Sequence, residues 1–456
     1  MKLKILFFVF LLVCSSCALD KRDIISSNFD FADIQLKHAF VEMDSVYKST
    51  DKLLANPRNI DPNGFLRMVA SHDWTSGFFP GELWYMYEYT RDDFWKEKAR
   101  KQTELLEQEK WNGSTHDMGF KMYCSYGNGY RLTQDSGYKD ILLQSAYTLI
   151  RRYNPKVGCI RSWDHNRDKW QYPVIIDNMM NLELLFWAFR MSGDSIFYQV
   201  AVDHARTTMK NHFRKDYSSY HVIDYDTLTG AVLHKNTHQG YSDASAWSRG
   251  QAWGLYGYTM CYRETGLPEF LERAKQIASY IFSNPTLPDD LIPYWDYNAP
   301  GIPDEPRDVS AATVTASALY ELSMYDETNR TGYVDRADRI LENLTNRYRA
   351  SVGKDCGFLL LHSTGSKKYL FVACLLCLSV LSAVAKVPAM NKIRLTNNWE
   401  YLKGDLGGIW EAVRPAAPGS SEAVPIWQPV TLPHCFNAED AVDPDVNYYE
   451  GPGWYK

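Results

Sequence analysis

A ring of paired helices, an α/α toroid, is the architecture this sequence predicts. Three observations carry it. The first is a cadence in which an aromatic-rich apolar helix ends in a Thr/Ser/Gly turn and a charged amphipathic helix follows. The second is a scarcity of strand signals. The third is size: 456 residues at 45% apolar content can bury a large core and leave room for more than one domain.

Taken in order, Ala32 to Leu53 reads as a first helix. A turn at Trp74–Gly81 leads into the apolar stretch Glu82–Thr90, and an amphipathic helix follows over about Phe94 to Gln108. The cadence recurs at Leu182–Gly193 with Ile196–His212, at Gln251–Gly266 with Pro268–Phe282, and at Ala311–Thr328 with Tyr333–Tyr348. A shorter version is Cys124–Thr133 with Tyr138–Arg152. The period is loose, so this is no fixed-repeat solenoid. Pro80, Pro173, Pro268 and Pro293 mark loops, and Tyr220–Tyr225 with Ala231–His234 form a small hairpin.

Both ends have a different texture. Lys2 and Lys4 precede the apolar run Ile5–Val13, so residues 1–20 read as an export signal. Cys17, after two small residues, resembles a lipoprotein cleavage site and predicts a lipid anchor there. Plain secretory cleavage is the alternative. The expected location is therefore the periplasm or the outer membrane. A second run, within residues 367–385, has two lysines, an apolar stretch and a small-x-small ending, like a signal peptide in mid-chain. A membrane span or a buried last helix are the other readings, although the run is shorter than the ~20 residues a span needs. Residues 386–456 form a separate Trp-, Pro- and Gly-rich, β-like tail.

The formal charge of −6 argues against a nucleic-acid partner. Nine scattered cysteines make no disulfide framework, and no His/Cys cluster has zinc spacing. The run Asp224–Gly230 lacks the glycine and closing glutamate of a calcium loop and reads as a hairpin turn. No metal or cofactor is expected. What remains is concentrated between Arg161 and Trp253, where carboxylates, indoles, an amide and a guanidinium fall at loop–helix junctions. Carboxylates for acid/base chemistry and flat rings for stacking suit a sugar. The 14 Trp and 31 Tyr fit this equally with helix packing.

The motifs His116-Asp117-Met118-Gly119-Phe120, Ile176-Asp177-Asn178-Met179-Met180-Asn181-Leu182 and Tyr241–Trp253 resemble the unsaturated glucuronyl hydrolases, glycoside hydrolase family 88. The resemblance spans roughly residues 30–366. It implies an (α/α)6 barrel over residues 21–366 and removal of a 4,5-unsaturated uronic acid from the non-reducing end of lyase-generated oligosaccharides. Members continue into a last helix that closes the barrel; here the apolar run replaces it, so the barrel is expected to be incomplete at its C-terminal end. Trp427–His434, Asn437–Asp440 and Tyr448–Tyr455 resemble the opening of a family 2 glycoside hydrolase, which implies a fragment of a β-sandwich without its catalytic domain.

The resemblance also assigns roles. Asp177 is the expected general acid/base and Asp117 its partner, with repulsion between them favouring one shared proton. Asn178 could hydrogen-bond either. Trp74 and Trp163 are expected as walls of the sugar site, His116, His221, Gln239 and Arg249 as polar contacts, and Trp253 beside Arg249 on one helix face. The residues alone also allow Asp177 as a helix N-cap and Asp117 as an Asx-turn. Three rivals stand beside this reading: an inverting glycosidase using the same two aspartates, a sugar epimerase, and an oligosaccharide-binding lipoprotein without activity.

Overall fold

The computed structural model describes residues 21–365 and four short strands beyond them, at 372–374, 399–403, 428–430 and 453–455. The chain divides into two compact units, Met1–Val387 and Pro388–Lys456. The described part of the first unit opens with one long helix, α1 (Lys21–Ser49), and then lays down five hairpins. They are α2 (Phe78–Thr90) with α3 (Asp93–Glu104), α4 (Asn128–Thr133) with α5 (Ser136–Ile150), α6 (Leu182–Ser192) with α7 (Ser195–Asn211), α8 (Ser248–Thr265) with α9 (Pro268–Ser283), and α10 (Val309–Leu322) with α11 (Arg330–Asn343).

The two members of a hairpin differ in how much of their surface is apolar, and this decides their layer. In α10 every residue from Val309 to Tyr320 is buried, and so is Leu322. A helix apolar on all sides must be surrounded, so it belongs to the inner ring. In α9 the buried residues are Phe270, Ala274, Ile277, Ala278 and Ile281, a single stripe at helical spacing that faces inward while the rest meets solvent. The turns between them are built alike. Gly193 and Gly266, at φ 72° and 66°, end α6 and α8 in the left-handed conformation that glycine adopts freely. Asp92, Asp135 and Asp194 then cap α3, α5 and α7 by accepting backbone N–H groups.

Helix α1 ties the two ends of this series together. Its Phe40 packs edge-on against Phe79 of α2, and its Phe29 stacks on Tyr89 at 3.8 Å. On the other side the Asn28 amide donates to the Thr345 hydroxyl at 3.0 Å, and the buried Gln35 amide donates to the Phe358 carbonyl at 2.8 Å. The outer layer is thereby closed around the ring.

Strands occupy the connections. β1 (Asn56–Ile60) and β2 (Leu66–Val69) pair across an Asp61–Gly64 turn that the reading of the sequence passed over. Short strands β3 (Tyr153–Asn154) and β4 (Cys159–Ile160) form a second pair. β5 (Pro173–Ile175), β6 (Val222–Tyr225) and β7 (Val232–Asn236) form an antiparallel sheet in that order, with Ile175 opposite Val222 and Val222 opposite Asn236. The expected hairpin is its β6–β7 half. Its turn is held by Asp226, whose Oδ1 accepts from Leu228 and Thr229. β8 (Leu360–Ser363) pairs antiparallel with β9 (Val372–Cys374).

Several expectations are corrected. Pro80 lies inside the first turn of α2, where a missing N–H costs nothing, and Pro173 opens an edge strand rather than a loop. Residues Gly119–Gly127, ahead of α4, form a wider π-helix that helical periodicity could not announce. Residues 1–20, the 367–385 run apart from β9, and most of the tail lie outside the described residues, as does the expected gap in the barrel. No helix among the described residues is long and apolar enough to cross a membrane. In the second unit, β10 (Trp399–Lys403) is flanked by β11 (Gln428–Val430) and β12 (Gly453–Tyr455) in an antiparallel sheet.

Glu82 on α2 is buried with neither carboxylate oxygen hydrogen-bonded, and burial holds its pKa well above the usual range. It is neutral in both states at acid pH. As pH rises past the unfolded-state pKa, the unfolded chain gains by ionising and the folded chain does not, so stability falls. Glu82→Met is expected to gain about 1–3 kcal/mol near pH 4, from removal of the unsatisfied carboxyl, and more near pH 8, where linkage adds to it, checked by melting at both values.

Candidate active site

Two loops meet at the mouth of the ring. Strand β5 runs into a 3-10 turn, Ile176–Asn181, that leads into α6. Asn178 there donates its amide to the Ile160 carbonyl at 2.9 Å, so it fixes the turn and bonds to neither aspartate, against expectation. Asn181 accepts the Phe120 N–H at 3.1 Å with its side-chain oxygen. A Cβ on Gly119 would lie 2.7 Å from the Asn181 Cα, so only glycine lets the two loops approach this closely. This contact seats the His116–Asp117 segment beside Asp177.

Asp177 does not cap a helix, and Asp117 lies in a turn without making the Asx-turn hydrogen bond. Asp177 is buried within the first turn of the 3-10 segment, whose N-cap position is Ile175. Asp117 Oδ2 accepts the Thr115 hydroxyl at 2.5 Å, and its Oδ1 lies 3.1 Å from His116 Nε2. Burial alone would raise the Asp117 pKa; His116, through charge and hydrogen bond, then Thr115 and Lys121, outweigh it and hold the group below the usual carboxylate range.

Asp177 goes the other way. Burial pushes its pKa up to about 7, against the pull of His116 and Arg249, and Asp117 adds only the smallest contribution. The expected like-charge repulsion is present, but desolvation dominates. His221 faces it, with Nε2 3.6 Å from Asp177 Oδ2, and neither atom has a hydrogen-bond partner. His221 Nδ1 accepts the backbone N–H groups of His238 and Gln239, both at 3.1 Å. Burial holds this ring neutral, so its one proton sits on Nε2, pointing at Asp177. At neutral pH the pair is thus a carboxyl poised between its protonated and ionised forms and a neutral imidazole, beside an ionised Asp117.

Rings and amides surround these groups. Trp163, half-buried, stacks on His165 at 5.1 Å and meets Trp170 and His238 edge-on or tilted. Trp74, also half-buried, packs edge-on against Phe78 and Phe120. Both rings keep surface free for a ligand. Trp253 differs: at 1% exposure it packs on Phe120, 5.2 Å between centroids, and offers no face to a sugar. Gln239 donates to the Gly365 carbonyl at 2.9 Å.

Arg249 is likewise turned inward. Its Nη1 donates to Asp308 Oδ2 at 2.7 Å, to the Ser310 hydroxyl and to the Thr364 carbonyl, and its plane lies over Trp247. It acts on the site through its charge, which lowers Asp177. Trp247, Trp170, His238 and Asp308 were not singled out from the sequence. Trp247 and His238 carried a signal, since Trp247 lies within the Tyr241–Trp253 motif and His238 is next to Gln239; Asp308 is 59 positions from Arg249 and carried none. Among the described residues no group of His, Cys, Asp or Glu is placed to hold a metal ion.

Comparison with known proteins decides the family. The glycosyl hydrolase family 88 pattern matches residues 44–336. The chain belongs to that family. Unsaturated glucuronyl hydrolase from Formosa agariphila is 52% identical over 300 residues, covering 65% of this chain and 74% of the relative. That of Bacillus sp. strain GL1 is 36% identical over 284 residues, 60% of this chain and 74% of the relative. Among solved structures, an unsaturated glucuronyl hydrolase specific for heparin superposes with a TM-score of 0.75 at 44% identity, covering 81% of this chain and 98% of that one. A Streptococcus agalactiae mutant complexed with dGlcA-GalNAc6S gives 0.66 at 27% identity, covering 80% and 91%. The fold is the family's (α/α)6 barrel, and the protein is a glycosyl hydrolase.

Removing Arg249 would leave Asp308 charged and buried without a counter-ion, held only by the Ser310 and Ala311 groups that it caps. Arg249→Met is expected to cost about 3–5 kcal/mol of stability, and Arg249→Met with Asp308→Asn much less. Thermal melting of the three proteins checks this; a loss of affinity without a loss of stability would mean that Arg249 serves the ligand instead.

Proposed function

We propose that the protein removes a 4,5-unsaturated uronic acid from the non-reducing end of oligosaccharides left by polysaccharide lyases, by hydrating the ring double bond. The observation that carries this is the buried Asp177 carboxyl with a pKa of about 7, paired with neutral His221 and set beside ionised Asp117. The unsaturated uronate is a vinyl ether conjugated to a carboxylate. Protonated Asp177 gives its proton to C4, and water adds at C5 after losing a proton to Asp177 or Asp117. The resulting hemiketal opens, the glycosidic oxygen leaves with the remaining sugar, and the uronate becomes a ring-opened keto acid. Such an acid must hold its proton at working pH, which desolvation achieves here. The half-exposed Trp74 and Trp163 would flank the unsaturated ring, and His221 Nε2–H would orient the Asp177 carboxyl.

Glycosaminoglycan disaccharides are the proposed substrates, supported by the heparin and dGlcA-GalNAc6S named for the related structures. The chain is also proposed to be exported and lipid-anchored at Cys17. Cys17→Ala should abolish incorporation of labelled fatty acid. A chain ending at Ser366 is expected to turn over substrate as fast as the whole, since the tail brings no catalytic group.

The test is the ultraviolet absorbance of the conjugated double bond. It should decay with unsaturated disaccharides, while saturated analogues stay intact; cleavage of saturated analogues would point to ordinary glycosidase chemistry instead. Asp177→Asn should lose about 10²–10⁴-fold in kcat while still binding product-like sugars. Because the acid must be protonated, kcat should fall as pH rises through about 7, the pKa of Asp177.

A further inference from the structure

Directly behind Asp117 lies a buried ion pair that the scheme above does not use. Lys121 is fully buried, with Nζ 2.8 Å from Glu109 Oε2. The Ser71 hydroxyl donates to Glu109 Oε1 at 2.8 Å, and the Asn112 amide donates to Oε2 at 2.7 Å. The Gln108 amide in turn donates to the Ser71 hydroxyl. One carboxylate thus gathers three segments: the loop three residues ahead of Trp74, the strand of chain ahead of His116–Asp117, and the π-helix that follows them. Lys121 also donates its backbone N–H to the Asp117 carbonyl at 2.9 Å. A buried ion pair generally stabilises less than apolar side chains of the same volume would. Its gain here is to be sought in what it holds in place.

We propose that Lys121 and Glu109 are a positioning pair for the reaction: Glu109 locks the Trp74 loop to the Asp117 loop, and the Lys121 ammonium is a fixed positive charge that keeps Asp117 ionised. The charged or titratable groups that act on Asp117 are His116 and Lys121 on its own segment and Asp177 on the facing turn. Of these, Lys121 is the one held in place by an ion pair outside the site, with Glu109.

Two single variants break the same ion pair and separate its electrostatic from its structural part. Lys121→Met removes the positive charge, so Asp117 should take up its proton at higher pH, with the acid limb of kcat moving up, by less than removal of His116 would move it. Glu109→Gln leaves Lys121 charged at acid pH and removes the carboxylate, so the acid limb should stay or move down. A purely structural pair would give both variants the same shift, or none, and either result overturns the proposal. If Lys121→Met does not fold, the double variant Lys121→Met/Glu109→Met removes both charges without stranding one, and an upward shift smaller than that of Lys121→Met is expected, because loss of the Glu109 carboxylate acts the other way. The inference rests on the proposed function, since kcat is read on unsaturated substrate. Carbon-13 titration of labelled aspartate carboxyls, with Asp117→Asn identifying the signal, reads the same shifts without turnover, so failure of the reaction assignment and failure of the pair are told apart.

Discussion

The close approach of Gly119 to Asn181 is the contact on which the site depends. It sets two backbone segments from different hairpins so near that no side chain could stand between them. The Phe120 N–H then docks on the Asn181 amide, and the two aspartates are brought to one place by backbone rather than by each other. That matters because the aspartates would not choose to be neighbours. Their arrangement survives because the apolar interior of the ring and the Asn178–Ile160 bond hold the Asp177 turn in place. The scaffold, in this sense, imposes the electrostatics.

Those electrostatics divide two chemically identical groups. Asp117 keeps company with a histidine, a hydroxyl and a lysine, and stays ionised. Asp177 is buried and faces a neutral imidazole whose Nε2 lies 3.6 Å from its Oδ2. The tautomer of that imidazole is decided by two backbone amides of the Thr237–Gly240 loop. A change in this loop's conformation would therefore reach Asp177 through a ring nitrogen, with neither aspartate altered.

What could be read from the sequence follows from how local its cause is. The helices were legible because the apolar period and the Gly or Asp at each turn lie within a few residues of one another. Family motifs pointed to Asp117, Asp177, Trp74 and Trp163, whose positions the structure now gives, and the β6–β7 hairpin was legible through its Asp226 turn. The roles of Arg249 and Trp253 were misjudged for a single reason. Both lie on α8, where a helical wheel shows that they share a face but not which way the face points. The Asp308 and Phe120 that claim them come from distant parts of the chain. The source of the Asp177 shift was also out of reach, because desolvation is a property of the closed ring and of no segment in it. The Asp61–Gly64 turn is the counter-example: a strong local signal, present in the sequence and left unused.

The short stretch around Thr364 and Gly365 hangs by its carbonyls from Arg249 and Gln239. Backbone oxygens make these bonds, so they ask nothing of the side chains that follow. Every residue carries such a carbonyl, so a substitution at Thr364 or Gly365 that keeps the path of the backbone leaves Arg249 and Gln239 the same acceptors.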